Sequence, residues 1–232
     1  MDFDVLPGPP LAELARTAMA RACAAVVGCA GPRSLRAFTV PVRISQAGHP
    51  ILLPRRGSAL ARELAAGPAM VTVTVPADPP FCALRLTGMA APPSRVGPCG
   101  QDPEVAGHEA AAYPVTPQSL EFTGATSAPV TLAQYEAAAP DPFRHHAQAV
   151  LRHLEDWHMA ELVRCVQVNG IKAAECVVPR GLDRFGLELL VFTPGGLASV
   201  RLAFPDGPVT GIGQVPASIR AVLTCRCSGG PG

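Results

Sequence analysis

Charge is scarce in this sequence. Asp, Glu, Lys and Arg make up 16% of its 232 residues and sum to a formal net charge of +1. A near-neutral chain presents no electrostatic footprint for a nucleic-acid backbone or an anionic membrane surface, so neither is expected as a partner. No stretch of eighteen uninterrupted apolar residues occurs, which argues against a transmembrane helix. The opening Met1-Asp2-Phe3-Asp4 is acidic and lacks the basic n-region of a secretory signal, so a cytoplasmic location is the expectation. Walker loops, dinucleotide-binding glycine fingerprints and nucleophile elbows are missing too, and kinase or hydrolase chemistry has no support.

What is present suits a globular chain. Apolar residues make up 48% of the sequence, enough to build one large core or two modest ones at this length. Eight cysteines are present, but their irregular spacing in a chain this long does not suggest a disulfide framework. Cys23, Cys29, Cys82, Cys165 and Cys176 lie in apolar surroundings and read as small buried hydrophobes. Cys225-Arg226-Cys227 differs because it lies near a Gly/Pro-rich end. A C-x-C pair can hold a soft metal only with two further ligands, and no spacing supplies them.

Periodicity organises the rest. Residues 1–10, ending in Pro7-Gly8-Pro9-Pro10, read as a disordered lead-in. A helix is expected from Leu11 to about Arg21, then strands at Cys23 to Cys29, Phe38 to Ile44 and Pro50 to Leu53. Ser58 is placed to cap a short helix over Leu60 to Ala65, which Gly67-Pro68 stops. Strands follow at Met70 to Val75 and Cys82 to Met89. This order suits a small antiparallel barrel. Ala90 to Pro103 reads as a loop and Glu104 to Tyr113 as a helix, with weaker strands at Ser119 to Phe122 and Ala128 to Val130. Thr131 caps another short helix, and Pro140-Asp141-Pro142 breaks the chain. Beyond it come a long helix from about Phe143 to Val168, strands at Ile171 to Val178, Leu187 to Phe192 and Ala198 to Phe204, and a helix from Val215 to Thr224. Gly181 to Gly186 is expected as a turn. The domain reading is 11–140, 141–226 and a flexible tail at 227–232.

Two clusters stand out as candidate sites. His153-Leu154-Glu155-Asp156-Trp157-His158 gathers two histidines, two carboxylates and the sole tryptophan. On a continuous helix, at about 100° per residue, His153 and His158 point some 140° apart, so one ion cannot join them. His158 falls on the stripe Ala147, Leu151, Leu154, Leu162, Cys165 and reads as a core histidine. His153 and Trp157, at i and i+4, share a face. That face is either a solvated surface or a flank for a flat macrocycle, with His145, His146 or Arg152 near enough to meet its carboxylates. The second cluster is Arg55-Arg56-Gly57-Ser58 before the short helix. Guanidinium groups grip phosphate bidentately and a helix N-terminus adds free N–H donors; paired arginines beside a turn are also ordinary surface residues.

The second half resembles a known family. His153 and His158, then Gly181, Leu182, Asp183, Arg184 and Gly186, then Val200-Arg201-Leu202-Ala203-Phe204 resemble the DUF2470 domain. In that family the domain follows an FMN-binding split barrel of the pyridoxamine-phosphate-oxidase-like class, as in HugZ-like heme oxygenases. The resemblance implies an α+β protein with an antiparallel split β-barrel followed by a small α+β domain. It further implies a homodimer and tetrapyrrole or heme-iron metabolism, with heme degradation as the reaction it could serve; the His153 and Trp157 face read above is then the candidate heme-binding site. It also offers two alternatives: an FMN-dependent oxidoreductase holding the phosphate with Arg55, Arg56 and Ser58, or a cofactor-free regulator of a tetrapyrrole-pathway enzyme. The related helix commonly reads H-x-N-x-D-H, whereas Glu155 and Trp157 stand here in place of the Asn and Asp. HugZ-like enzymes ligate heme iron through a histidine near the C-terminus, and this chain has none after His158. His153, Cys225 and Cys227 are then the candidate iron ligands.

Overall fold

The computed structural model describes residues 9–30, 35–78, 81–92, 110–124 and 127–224. They divide into two compact units, Leu11–Pro140 and a second beginning at Asp141. The first holds helix α1 (Leu11–Arg21), strands β1 (Ala24–Ala30), β2 (Leu35–Ile44) and β3 (Pro50–Leu52), helix α2 (Ala59–Ala65), strands β4 (Ala69–Pro76), β5 (Phe81–Ala90), β6 (Tyr113–Gly124) and β7 (Ala128–Val130), and helix α3 (Leu132–Ala137).

All strand pairings in this unit are antiparallel, in the order β3-β2-β1-β4-β5-β6-β7, and β3 also pairs with β6. That last pairing, Leu52 opposite Tyr113 and Ile51 opposite Pro114, closes six strands into a barrel. Alternation drives the closure. Val71, Val73 and Val75 of β4, Leu84 and Leu86 of β5, and Val115, Leu120 and Phe122 of β6 all turn inward and are buried. Thr72, Thr74 and Arg85 alternate with them on the outer side. A register shift opposite Thr87 and Gly88 leaves Gln118 of β6 unpaired and bends that strand. A Cβ on Gly88 would lie 2.3 Å from the Thr116 carbonyl oxygen, so only glycine fits.

The helix expected over Glu104 to Tyr113 falls mostly outside the described residues, and Tyr113 itself opens β6. The weak strand at Ser119 to Phe122 is part of that twelve-residue strand. Prolines at 114 and 117 mask it, since proline argues against a strand interior; Pro117 sits beside the register shift opposite Gly88.

One arginine ties helices to barrel. Arg16 of α1 donates to the Ala47 carbonyl at 2.7 Å and the Ala138 carbonyl at 3.0 Å. Its guanidinium also lies 5.2 Å from the ring centre of Tyr135 in α3. The Tyr135 hydroxyl donates to the Gly48 carbonyl at 2.5 Å in the β2–β3 turn. Gly48 has φ +85° and a Cβ there would collide with the Arg16 guanidinium, so the turn must be glycine. Burial pushes the Tyr135 phenol up, and the Arg16 charge and hydrogen bond oppose this only in part. A raised phenol stabilises the fold below the unfolded value of about 10 and loses that contribution as pH rises through the folded value. Melting temperature should therefore fall between pH 9 and pH 11. Tyr135→Phe should cost about 1–2 kcal/mol at neutral pH and flatten that alkaline decline; an unchanged decline would show that Tyr135 does not cause it.

The second unit holds helices α4 (Ala147–Trp157) and α5 (Met159–Val168), strands β8 (Cys176–Asp183), β9 (Gly186–Thr193) and β10 (Gly196–Ala203), a 3-10 turn at Ile212–Gln214, and helix α6 (Val215–Thr224). Its sheet is antiparallel in the order β10-β9-β8. Val177, Leu182, Leu187, Leu189, Val191 and Leu202 join Leu151, Leu154, Leu162 and Val166 of the helices in one core. The opposite sheet face carries the cross-strand row Cys176, Phe192 and Leu197, all exposed.

The long helix expected from Phe143 to Val168 is two helices. The chain turns out of helical geometry at His158, with φ −130° and ψ 19°. No proline or glycine marks the place. The cause is tertiary: α4 packs on β8, whereas α5 packs against both β8 and α6, and the Cys165 thiol donates to the Val222 carbonyl at 3.5 Å. Leu154 and Leu162 are both buried in the core, one on each side of the break.

Candidate functional site

The break at His158 rebuilds the candidate cluster. A straight helix would set the two imidazoles apart, yet the rings of His153 and His158 meet edge to face, with centres 5.2 Å apart and planes at 65°. The 140° separation read from the sequence does not exist in the folded chain. Nor is His158 a core residue: its side chain is 36% exposed, and its Nδ1 lies 3.6 Å from a carboxylate oxygen of Glu161. His153 is exposed, and Trp157 is 73% exposed. Two imidazoles in contact, a carboxylate beside one of them and an exposed indole thus lie at the α4–α5 junction, here called the α4–α5 ledge. Among the described residues no three histidines, cysteines or acids already surround a common metal position. Sequence reasoning missed His158 and Glu161 as site residues because the residue types at 157–159 carry no break signal.

The Gly181–Gly186 stretch has another purpose. Only Arg184 and Phe185 form the turn; Gly181, Leu182 and Asp183 belong to β8, with a register shift between Pro179 and Gly181. Asp183 Oδ1 accepts the N–H groups of Phe185 at 2.8 Å and Gly186 at 3.2 Å, fixing the hairpin. Both its oxygens also accept from one Arg201 guanidinium nitrogen on β10. A Cβ on Gly186 would lie 2.2 Å from the Leu202 carbonyl oxygen, so β9 and β10 pass too closely there for any side chain. Asp141, buried at the start of this unit, accepts from the Phe143 N–H at 2.6 Å and the Arg184 N–H at 2.8 Å. These motif residues hold the hairpin to the base of the helices.

The phosphate candidates lie on the barrel. Arg55 is bridged to Ala110 in a short continuation of the β3–β6 seam, and its carbonyl accepts the Ser58 N–H at 3.1 Å. Arg55 and Arg56 are exposed, with no carboxylate partner among the described residues. Gly57 has φ +73°, which suits glycine in this turn. The Ser58 hydroxyl accepts the Ala61 N–H at 3.2 Å and is engaged as the cap of α2. Among the described residues the arrangement leaves two guanidinium groups without a carboxylate and one occupied hydroxyl.

Of the cysteines read as buried, Cys29 and Cys165 are buried, while Cys23, Cys82 and Cys176 are exposed. Burial pushes the Cys29 thiol up, and neighbouring Glu63 adds to this, so it is a poor nucleophile. Cys225 and Cys227 lie outside the described residues.

No family model matches this sequence, and no curated protein matches it. Among solved structures, a heme-binding protein from Mycobacterium smegmatis is similar over 96% of this chain and 99% of its own, with a TM-score of 0.64 and 20% identity. The first unit is a split barrel. A protein of unknown function from Agrobacterium tumefaciens is similar over 96% of this chain and 100% of its own, at 18% identity and a TM-score of 0.41. At 20% identity the likeness to the Mycobacterium protein is one of fold. The α+β class, with a closed antiparallel six-stranded barrel, helices and a second small sheet, agrees with the expectation from sequence. No helix among the described residues is long and apolar enough to cross a membrane.

If Asp183 is structural, Asp183→Ala should lower the unfolding free energy by about 2–4 kcal/mol, because Arg201 and two N–H groups lose their acceptor together. Glu155→Asn and Trp157→Asp, on the exposed face of α4, should stay within about 0.5 kcal/mol of wild type. Urea melts of the three variants check both statements.

Proposed function

We propose that this chain is a heme-binding split-barrel protein of tetrapyrrole or heme-iron metabolism, with a DUF2470-like second unit. The observation that carries the reading is the correspondence, over 96% of this chain and 99% of the other, with a heme-binding protein. The α4–α5 ledge suits such a ligand in its donor chemistry. An exposed imidazole is a ligand for heme iron, and an exposed indole offers an apolar flat face. We assign the iron-side contact to His153 and the macrocycle contact to Trp157. Heme, when bound, would supply the redox and oxygen chemistry, which makes dedicated acid–base residues unnecessary on this chain. The residues themselves bind and orient. Leu151 and Leu154 anchor α4 in the core, so His153 and Trp157 project from a fixed helix. A cytoplasmic homodimer and a heme-degrading step belong to the same proposal.

Hemin added to the purified protein should give a shifted Soret band at a one-to-one ratio. Trp157→Ala should weaken binding about two- to tenfold, the worth of an aromatic face contact, and His153→Ala should move the Soret maximum. An unshifted Soret band in the wild-type protein rules the reading out.

A second reading rests on the unpaired Arg55 and Arg56: an FMN-dependent oxidoreductase that holds the flavin phosphate beside the first turn of α2. It predicts a yellow protein as purified, whose colour is lost in Arg55→Ala/Arg56→Ala. A colourless protein that shifts neither the flavin nor the hemin spectrum, and co-purifies with a tetrapyrrole-pathway enzyme, would instead fit a cofactor-free regulator.

A further inference from the structure

We infer that His153 and His158 form a two-imidazole chelate for a divalent first-row transition-metal cation at the α4–α5 break. The inference stands apart from heme binding, since it needs no macrocycle. Its basis is ring separation. An imidazole nitrogen bound to such a cation lies about 2.0–2.1 Å from it, which sets the ring centre about 3.2 Å away. Two imidazoles on one ion then have centres about 4.5 Å apart at a right angle and about 5.2 Å apart at the tetrahedral angle. The centres of His153 and His158 are 5.2 Å apart.

A second observation concerns the carboxylate. Metal-bound histidines generally turn their other ring nitrogen toward a carboxylate or carbonyl, which fixes ring orientation and raises basicity. Nδ1 of His158 lies 3.6 Å from the Glu161 carboxylate, an ion-pair distance, so with Nε2 on the ion the carboxylate would stand beside the other ring nitrogen. The helix break is what brings the pair together. An i, i+5 spacing cannot chelate on a regular helix, and here the chain leaves helical geometry at His158 itself. Both side chains are accessible, so water completes the coordination sphere. Imidazole donors favour copper, nickel and zinc over the harder magnesium and calcium.

Nickel titration of the full chain by calorimetry tests the site. The exposed thiols of Cys23, Cys82 and Cys176 are controlled by the absorption spectrum of the cobalt(II) form. The wild-type protein should bind one equivalent of nickel, and the cobalt form should lack a sulfur-to-metal band. His153→Gln and His158→Gln should each weaken binding at least about tenfold, and Glu161→Gln should weaken it by up to about tenfold. His49→Ala, which removes a lone histidine paired with Glu136 at 3.3 Å, should leave binding unchanged. His153 lies on the exposed face of α4, so its variant reads the site even if changes at His158 disturb the break. Binding that survives in His153→Gln/His158→Gln, depends on only one of the two rings, or shows the sulfur band overturns the inference. Hemin is absent from this titration, so its failure leaves the heme reading standing, and an unshifted Soret band leaves the chelate standing.

Discussion

Closure of the barrel rests on a seam only a few residues long. Strand β3 has three residues, and two of them, Ile51 and Leu52, face β6 to complete the ring of six strands. Without that pairing β3, and the part of β6 before Leu120 that β7 does not cover, would be sheet edges with rows of unpaired backbone groups. The seam is braced from several sides. Tyr113, opposite Leu52, sends its hydroxyl to the Ala61 carbonyl of α2 at 3.1 Å. Arg16 and Tyr135 hold the turn that leads into β3. The Arg55–Ala110 bridge continues the seam toward the Arg55–Ser58 turn. The same closure that removes the edges thus positions the two exposed arginines at the start of α2.

The second unit depends on a different device. Its sheet has three strands and a single covered face, so the hairpins must be pinned by more than apolar contact. Asp183 and Arg201 form a largely shielded pair that spans β8 and β10, and Asp141 ties the first turn of the unit to the β8–β9 hairpin. Acid and base here replace part of what a larger core would do. The side chains proposed to carry chemistry lie elsewhere, at the junction of α4 and α5.

Much of the architecture was legible because it is periodic. Valines and leucines alternating through β4 and β5, Ser58 and Thr131 as helix caps, and Pro140-Asp141-Pro142 as a break all act through local chemistry. The candidate site was legible only in composition. His153, Trp157 and His158 could be named, but their mutual geometry could not, because a straight helix was the natural extrapolation from the apolar stripe. The cysteines show the same divide. Cys29 and Cys82 have similar apolar neighbours in sequence, and strand register alone turns one inward and the other outward.

By itself the sequence determined the element types, the order of the barrel strands and the residues able to carry chemistry, since propensity, capping and alternation act over a few residues. Tertiary structure decided which of those residues meet. The β3–β6 closure joins positions some sixty residues apart, and the chain leaves helical geometry at His158 where α4 packs on β8 and α5 packs on both β8 and α6. That bend turns two histidines, which helical spacing holds apart, into a pair within reach of one ion.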